Sequence, residues 1–80
     1  MTVKLYGKEN CSICTDAKMI LELLQTEYFF EIDEIDIYED DTLLEKYHLI
    51  IPVIEVEGEI ADFGKVDYDK VANFLKTKNY

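Results

Sequence analysis

The spacing of apolar residues changes several times along the chain, and each change marks a boundary between a strand and a helix. Apolar and polar residues alternate over Val3–Tyr6, which is the period of a β-strand, and we expect this strand to end near Gly7. The spacing then becomes helical from Ser12 to about Glu27, which predicts an amphipathic helix over that stretch. Its apolar positions are Ile13, Ala17, Ile20, Leu21 and Leu24.

A second alternating stretch, Phe30–Ile37, predicts the next strand. The apolar residues change parity at Asp33-Glu34, which indicates either a bulge or a strand that begins later. The other predicted elements are a helix whose N-cap is supplied by Asp40-Asp41-Thr42, a strand over Val53–Val56, a tight turn at Gly58 into a short strand at Ile60–Ala61, and a last helix capped by Asp67.

The resulting order, β-α-β-α-β-β-α, predicts an α/β protein with one small sheet. A right-handed crossover makes the first two strands parallel, and the hairpin at Gly58 makes the last two antiparallel. We therefore expect a four-stranded mixed sheet flanked by three helices, in a single domain over residues 1–80. In such sheets the functional crevice lies at the carboxyl ends of the parallel strands, where Cys11 follows the first strand.

The charge balance excludes several classes of function. The chain has 18 acidic and 8 basic residues and a net charge of -10. A protein of this charge lacks the basic face that nucleic acid requires, and it is repelled by anionic membrane surfaces. The longest apolar run, Leu49 to Ile54, is too short to cross a membrane, and the N-terminus lacks the pattern of a secretory signal. We expect a cytoplasmic monomer.

The cysteines, Cys11 and Cys14, form a C-x-x-C pair. A disulfide between them closes so short a loop that it would add only about 2 kcal/mol of stability, so a structural staple is a poor explanation. Thiol–disulfide exchange is the first hypothesis for this spacing in a cytoplasmic protein near a βαβ pattern. A metal or iron–sulfur site and two ordinary core thiols remain alternatives. His48 is the other strong candidate ligand for a metal that needs four.

The start of a helix favours thiolate chemistry, because its unpaired amides and dipole stabilise an anion. We expect Cys11 to be the exposed attacking thiol and Cys14, one turn later, to be the buried resolving thiol. Ser12 and Ile13 lie between them and are expected to contact the substrate, with the Ser12 hydroxyl placed to donate to the sulfur. Lys8 is a candidate cation for the thiolate or for a substrate carboxylate.

The sequence resembles the glutaredoxin-like branch of the thioredoxin superfamily over nearly its whole length. The residues that carry the resemblance are Lys4 to Cys14 with Ala17-Lys18, Glu34 to Ile37, Leu43 to Tyr47 and Ile51-Pro52-Val53. It implies a thioredoxin-like fold and a thiol–disulfide oxidoreductase without a cofactor. The substrate would be a disulfide of a protein or a small molecule.

The resemblance also assigns roles to individual residues. Cys11 would attack and Cys14 would resolve, while Lys8 would lie near the glutathione carboxylate. Pro52 would follow a cis peptide bond, and the backbone of Ile51 would pair with the substrate backbone.

One segment departs from the glutathione-using members, which carry a Gly-Gly pair followed by Asp. This chain has Ala61-Asp62-Phe63-Gly64 instead. Side chains there obstruct a ligand backbone, and Asp62 adds a negative charge. We therefore expect glutathione to be a weak thiol donor and a thioredoxin-reductase-type reductase to be a better one. A relative of the fold without turnover, used for docking, is a further alternative.

Overall fold

The computed structural model describes residues 1–78 and has the predicted order of elements. The α/β class, with a four-stranded mixed sheet and three helices, is confirmed. The strands are β1 Thr2–Gly7, β2 Glu31–Asp36, β3 Val53–Val56 and β4 Glu59–Phe63, and the helices are α1 Ser12–Leu24, α2 Asp41–Tyr47 and α3 Tyr68–Thr77. A short 3₁₀ turn, Ile37–Glu39, precedes α2.

The order of strands in the sheet is β2-β1-β3-β4, so β1 lies inside the sheet and carries a neighbour on each side. β1 and β2 are parallel, whereas β3 is antiparallel to both β1 and β4. Gly7 at the end of β1 pairs with Asp36 at the end of β2, and Tyr6 pairs with Val53 at the start of β3. The end of β1 therefore meets the end of one strand and the start of another.

Helices cover both faces of the sheet. α1 and α3 cover one face, where the larger core contains Val3 and Leu5 of β1, Leu21 of α1 and Leu75 of α3. Burial of such apolar side chains is the main favourable term in folding, at about 25 cal/mol per Å².

The opposite face of the sheet is covered by α2, around Tyr6, Ile37, Tyr47 and Val53. The rings of Tyr6 and Tyr47 lie 4.9 Å apart between centroids and hold α2 against β1. Burial, followed by a hydrogen bond with the Glu55 carboxylate, raises the pKa of the Tyr6 phenol, which therefore stays neutral.

The parity change in the second strand is not a bulge between β1 and β2, whose register runs without interruption from Thr2–Glu31 to Gly7–Asp36. Ile32 packs into the core under α1 and α3, while Ile35 packs on the opposite face with α2. A strand that is covered on both faces carries apolar residues of either parity. The irregularity of the sheet lies instead between Ile54 and Glu55, where β3 pairs with β4.

Several predicted boundaries differ from the observed ones. α1 ends at Leu24 instead of Glu27, because the amides of Thr26 and Glu27 bond to carbonyls three residues back and tighten the chain into a turn. The second strand ends at Asp36, whose carboxylate caps the 3₁₀ turn by accepting from the amide of Tyr38. The fourth strand is longer than Ile60–Ala61 and runs over Glu59–Phe63.

The predicted helix caps are confirmed. The Asp40 carboxylate accepts from the amides of Thr42 and Leu43, and the Asp67 carboxylate accepts from the amide of Asp69. Within residues 1–78, no helix has both the length and the apolar character that a membrane crossing needs. The extent of the domain, residues 1–80, stays a prediction, and its last two residues lie outside the described part of the chain.

Candidate functional site

Cys11 and Cys14 occupy the first turn of α1, directly beyond the end of β1. Asn10 has a left-handed backbone (φ 56°) and turns the loop into Cys11, which is the N-cap of the helix. The amide of Cys14 donates to Sγ of Cys11 at 3.2 Å, which is the contact that an N-cap side chain makes with the first turn of its helix. The two Cα atoms are 5.2 Å apart, and the two sulfurs form a disulfide.

The two sulfurs differ in how far solvent reaches them. Cys14 is 8% exposed, whereas Cys11 is half-buried and borders open space at the helix start. A disulfide of another molecule therefore reaches Cys11 before Cys14. The predicted difference in exposure between the two thiols is confirmed.

Gly7 makes room for the buried sulfur, a function that its backbone angles do not reveal. A Cβ at this position would lie 3.1 Å from Sγ and 3.3 Å from Cβ of Cys14, closer than ordinary van der Waals contact. The end of β1 and the first turn of α1 approach each other this closely because residue 7 has no side chain.

Gly7→Ala is expected to destabilise the reduced protein by about 1–2 kcal/mol, because the added methyl group forces Cys14 to move inside a packed site. Urea unfolding of the reduced protein measures this loss. The matched comparison is the same substitution in a Cys14→Ala background, where the contact with Sγ is gone, the contact with Cβ remains, and part of the penalty should disappear. An equal penalty in both backgrounds would mean that the sulfur of Cys14 is not what requires glycine at residue 7.

The other side of the helix start is formed by the loop before β3. The Ile51–Pro52 bond is cis, as the resemblance implies. The amide of Gly64, a residue with φ of 68°, donates to the carbonyls of Pro52 (2.8 Å) and Ile50 (3.1 Å). The end of β4 thereby holds the proline loop beside the end of β1. A side chain at residue 64 would strain this left-handed backbone.

A cleft of about 870 Å³ opens on the β2 side of the two cysteines. Lys8, Cys11 and Ser12 line it, as do four carboxylate side chains: Glu9, Glu34, Asp36 and Glu39. Lys18 from α1 reaches the Glu34 carboxylate at 3.2 Å and partly offsets its charge. The side of the site next to Cys11 is therefore acidic, with Lys8 as its cationic lining residue.

The predicted site residues fall into two groups. Lys8, Cys11, Ser12 and Cys14 line the cleft, whereas Ile51 and Pro52 lie across the end of β1, on the β3 side. Ile13, in the first turn of α1, is 45% exposed. The structure thus places these residues at the same end of the sheet.

Sequence reasoning missed the acidic wall of the cleft. Asp36 pairs with Gly7 across the parallel strands, and Glu39 follows in the 3₁₀ turn. A signal was available, because the carboxyl ends of neighbouring parallel strands meet at one edge of a sheet. The acidic residues after the second strand could have been placed there.

The segment that departs from the glutathione-using pattern is arranged differently from our expectation. Asp62 is 5% exposed, and its carboxylate accepts from the amides of Phe63 and Asp67, both at 2.9 Å. Lys70 lies 3.4 Å from it. The expectation that Asp62 presents its charge to a ligand is therefore wrong. Ala61 is also buried, so it does not obstruct a ligand either.

Residues 1–78 offer few ligands for the alternative of a metal site. Across the described residues, no three His, Cys, Asp or Glu side chains are grouped so that they could hold a metal ion. The ring nitrogen Nδ1 of His48 lies 2.9 Å from the carbonyl of Leu44, at the end of α2. His48 is therefore engaged with its own helix and is not gathered with the cysteines into a metal site.

Known proteins share both the sequence pattern and the fold of this chain. The model of the glutaredoxin-like domain (DUF836) matches residues 2–76. Protein Ne2328 from Nitrosomonas europaea is 25% identical, with 91% of this chain and 88% of that chain covered and a TM-score of 0.82.

Two further solved structures are more distant in sequence. The glutaredoxin of E. coli is 21% identical, with 99% of this chain and 98% of that chain covered and a TM-score of 0.60. A mutant thioredoxin from Halobacterium salinarum is 19% identical, with 99% and 74% covered and a TM-score of 0.70. These likenesses confirm the thioredoxin-like fold.

Proposed function

Since this chain belongs to the glutaredoxin-like domain family, we propose that it is a thiol–disulfide oxidoreductase that works through Cys11 and Cys14. The observation that carries the proposal is the bonded pair at the start of α1, with one sulfur accessible and the other buried. The protein would act as a monomer in the cytoplasm, where cysteine thiols are kept reduced.

The reaction has two exchange steps. The thiolate of Cys11 attacks one sulfur of the substrate disulfide, which forms a mixed disulfide and releases the first substrate thiolate. The thiolate of Cys14 then attacks Sγ of Cys11, which releases the second substrate thiolate and leaves the Cys11–Cys14 disulfide. The substrate gains two electrons that the protein loses, and an external thiol donor must return them.

The backbone around Cys11 supports this order of steps. The amide of Cys14 donates to Sγ of Cys11, and such a bond stabilises the thiolate that attacks. Cys14 has no comparable access to solvent, but it lies within reach of the adduct on Cys11. Because Cys11 and Cys14 both lie on the first turn of α1, the first can be the accessible nucleophile and the second the buried resolving thiol.

The proline loop would hold the substrate. The amide of Ile51 already donates to the carbonyl of Tyr47 at 3.1 Å, so a substrate strand would pair with the carbonyl of Ile51. Pro52 beneath it is buried and offers a fixed surface. Ser12 and Ile13 would contact the groups that flank the substrate sulfur.

Catalysed reduction of a small neutral disulfide and of a protein disulfide tests the proposal. Hydroxyethyl disulfide and insulin are suitable substrates, with electrons supplied in parallel by glutathione with glutathione reductase, by a thioredoxin reductase with its nicotinamide donor, and by dithiothreitol. We expect turnover above the uncatalysed rate with at least the dithiol donors. A protein whose cysteines cycle with none of these donors would not be an oxidoreductase of this kind.

Glutathione is expected to be a weak donor, although for a different reason from the one the sequence suggests. The carboxylates of the cleft repel an anionic tripeptide, and the chain contains no arginine that could bind its carboxylates in a bidentate manner. In the segment from Ala61 to Gly64, the Phe63 side chain is 50% exposed and can obstruct a ligand backbone. Each missing charge-assisted hydrogen bond lowers the affinity by about one to two decades.

Steady-state rates should therefore not saturate at millimolar glutathione, whereas dithiol donors should recycle the disulfide faster. The measurement is the dependence of the rate on donor concentration, with an NMR titration of the oxidised protein beside it. Tight, saturable binding with chemical-shift changes centred on Ala61 to Gly64 would contradict this prediction.

A further inference from the structure

We propose that the acidic cleft beside Cys11 selects disulfides that lie among positive charges, such as those in lysine-rich or arginine-rich polypeptide segments. The inference rests on the proposed function, because the substrate reacts at the same thiol. It specifies the charge of the groups around the substrate disulfide, which the exchange reaction itself does not determine.

The first step is the charge of the surface that the substrate must enter. Four carboxylates, on Glu9, Glu34, Asp36 and Glu39, share the cleft with Cys11, while Lys8 is the ammonium group that lines it. Lys18 offsets part of the charge of Glu34 from outside the cleft. After these two lysines are considered, carboxylates still outnumber ammonium groups around the attacking sulfur.

The second step is distance. Exposed charges interact over about one Debye length, roughly 8 Å at physiological salt, and the four acidic residues line the same cleft as Cys11. Charges that flank a substrate disulfide therefore remain within electrostatic reach of the carboxylates when its sulfur meets Cys11. Glu9 and Glu39 are exposed, so their effect should show a marked dependence on salt.

The third step is the field of the whole molecule, which carries a net charge of -10. A field of this sign accelerates the encounter with cations and slows the encounter with anions. Since the cleft has the same sign as the molecule, long-range steering and local contact favour the same substrates. Lys8 limits the preference, because it offers one favourable contact to an anion.

The experiment measures a single turnover. The protein is reduced, freed of reductant and mixed with three peptide disulfides of equal length, in which the half-cystines are flanked by Lys, Gln or Glu. The rate of formation of the Cys11–Cys14 disulfide is read by acid quench and mass spectrometry. Each rate is divided by the rate of dithiothreitol with the same peptide, which corrects for the intrinsic reactivity of the disulfide.

We expect the Lys peptide to react about tenfold faster than the Glu peptide at low ionic strength, and the ratio to fall to about twofold or less in 0.5 M salt. Glu9→Gln with Glu39→Gln should lower the ratio by about threefold. The matched control is Glu22→Gln with Glu45→Gln, which removes the same charge from exposed sites outside the cleft and should have a smaller effect.

The outcomes separate the two proposals. Oxidation of the protein by the Gln peptide, with equal rates for Lys and Glu peptides, would overturn the charge preference and leave the oxidoreductase in place. An equal loss of preference in both double variants would assign the effect to net charge and overturn the assignment to the cleft. Failure of all three peptides to oxidise Cys11 and Cys14 would instead overturn the proposed function.

Discussion

Cys11→Ser is expected to abolish disulfide reduction, and Cys14→Ser is expected to stop the reaction after its first step. Without Cys11 the remaining thiol is the one that is 8% exposed, and a disulfide from solution does not reach it. Without Cys14 the accessible thiolate still attacks, but no neighbouring thiol releases the product. The first variant should lose at least about three decades of rate, since no thiolate is left at the attacking position.

The adduct of the Cys14→Ser protein is the most direct measurement. Incubation with hydroxyethyl disulfide should give a protein whose mass has increased by one substrate half, and which dithiothreitol returns to its original mass. The Cys11→Ser/Cys14→Ser double variant is the control for non-specific adducts, and thermal unfolding shows that each variant is folded. Near-normal insulin reduction by Cys11→Ser would contradict the assigned roles.

Asp62→Ala is expected to cost about 2–4 kcal/mol of unfolding free energy, the largest loss expected here from any polar side chain. The Asp62 carboxylate accepts from two backbone amides, and it ties the end of β4 to the residue that caps α3. Alanine leaves both amides without this acceptor and opens space in a nearly closed site. The midpoint of urea unfolding measures the effect.

Two neighbouring substitutions make the test specific. Asp62→Asn keeps the shape and one carbonyl acceptor, so it should lose less than alanine. Lys70→Gln removes an ammonium group that is 63% exposed, and surface pairs of this kind contribute about 0–1 kcal/mol. A loss from Lys70→Gln as large as that from Asp62→Ala would mean that the ion pair, and not the amide contacts, stabilises this loop.

The sequence was sufficient for the order of elements because each one carries a local signal. The aspartates Asp40 and Asp67 cap the helices where short-range rules place them, and the apolar stripe of α1 begins at the cysteines. The position of Cys11 and the burial of Cys14 followed from the same local geometry.

The features that could not be predicted depend on which elements lie side by side. Ile32 and Ile35 suggested a bulge because nothing local shows that β2 is covered on both faces. Asp62 looked like a ligand-facing charge, since its contact with the amide of Asp67 exists only once the chain after β4 turns into α3. The need for glycine at residue 7 likewise comes from a contact with Cys14 and not from its own backbone angles.

The place of β1 within the sheet has a consequence for how this site can diversify. The strand that delivers Cys11 is bonded to β2 on one side and β3 on the other, so it is among the last parts of the molecule to open in local fluctuations. Glu34, Asp36 and Glu39 of the cleft belong to edge strand β2 and the turn after it. Phe63 and Gly64 lie at the end of β4, on the opposite edge of the sheet. Under the proposed function, substitutions at the two edges of the sheet would change substrate preference, while the strand in the middle keeps the geometry of the cysteines.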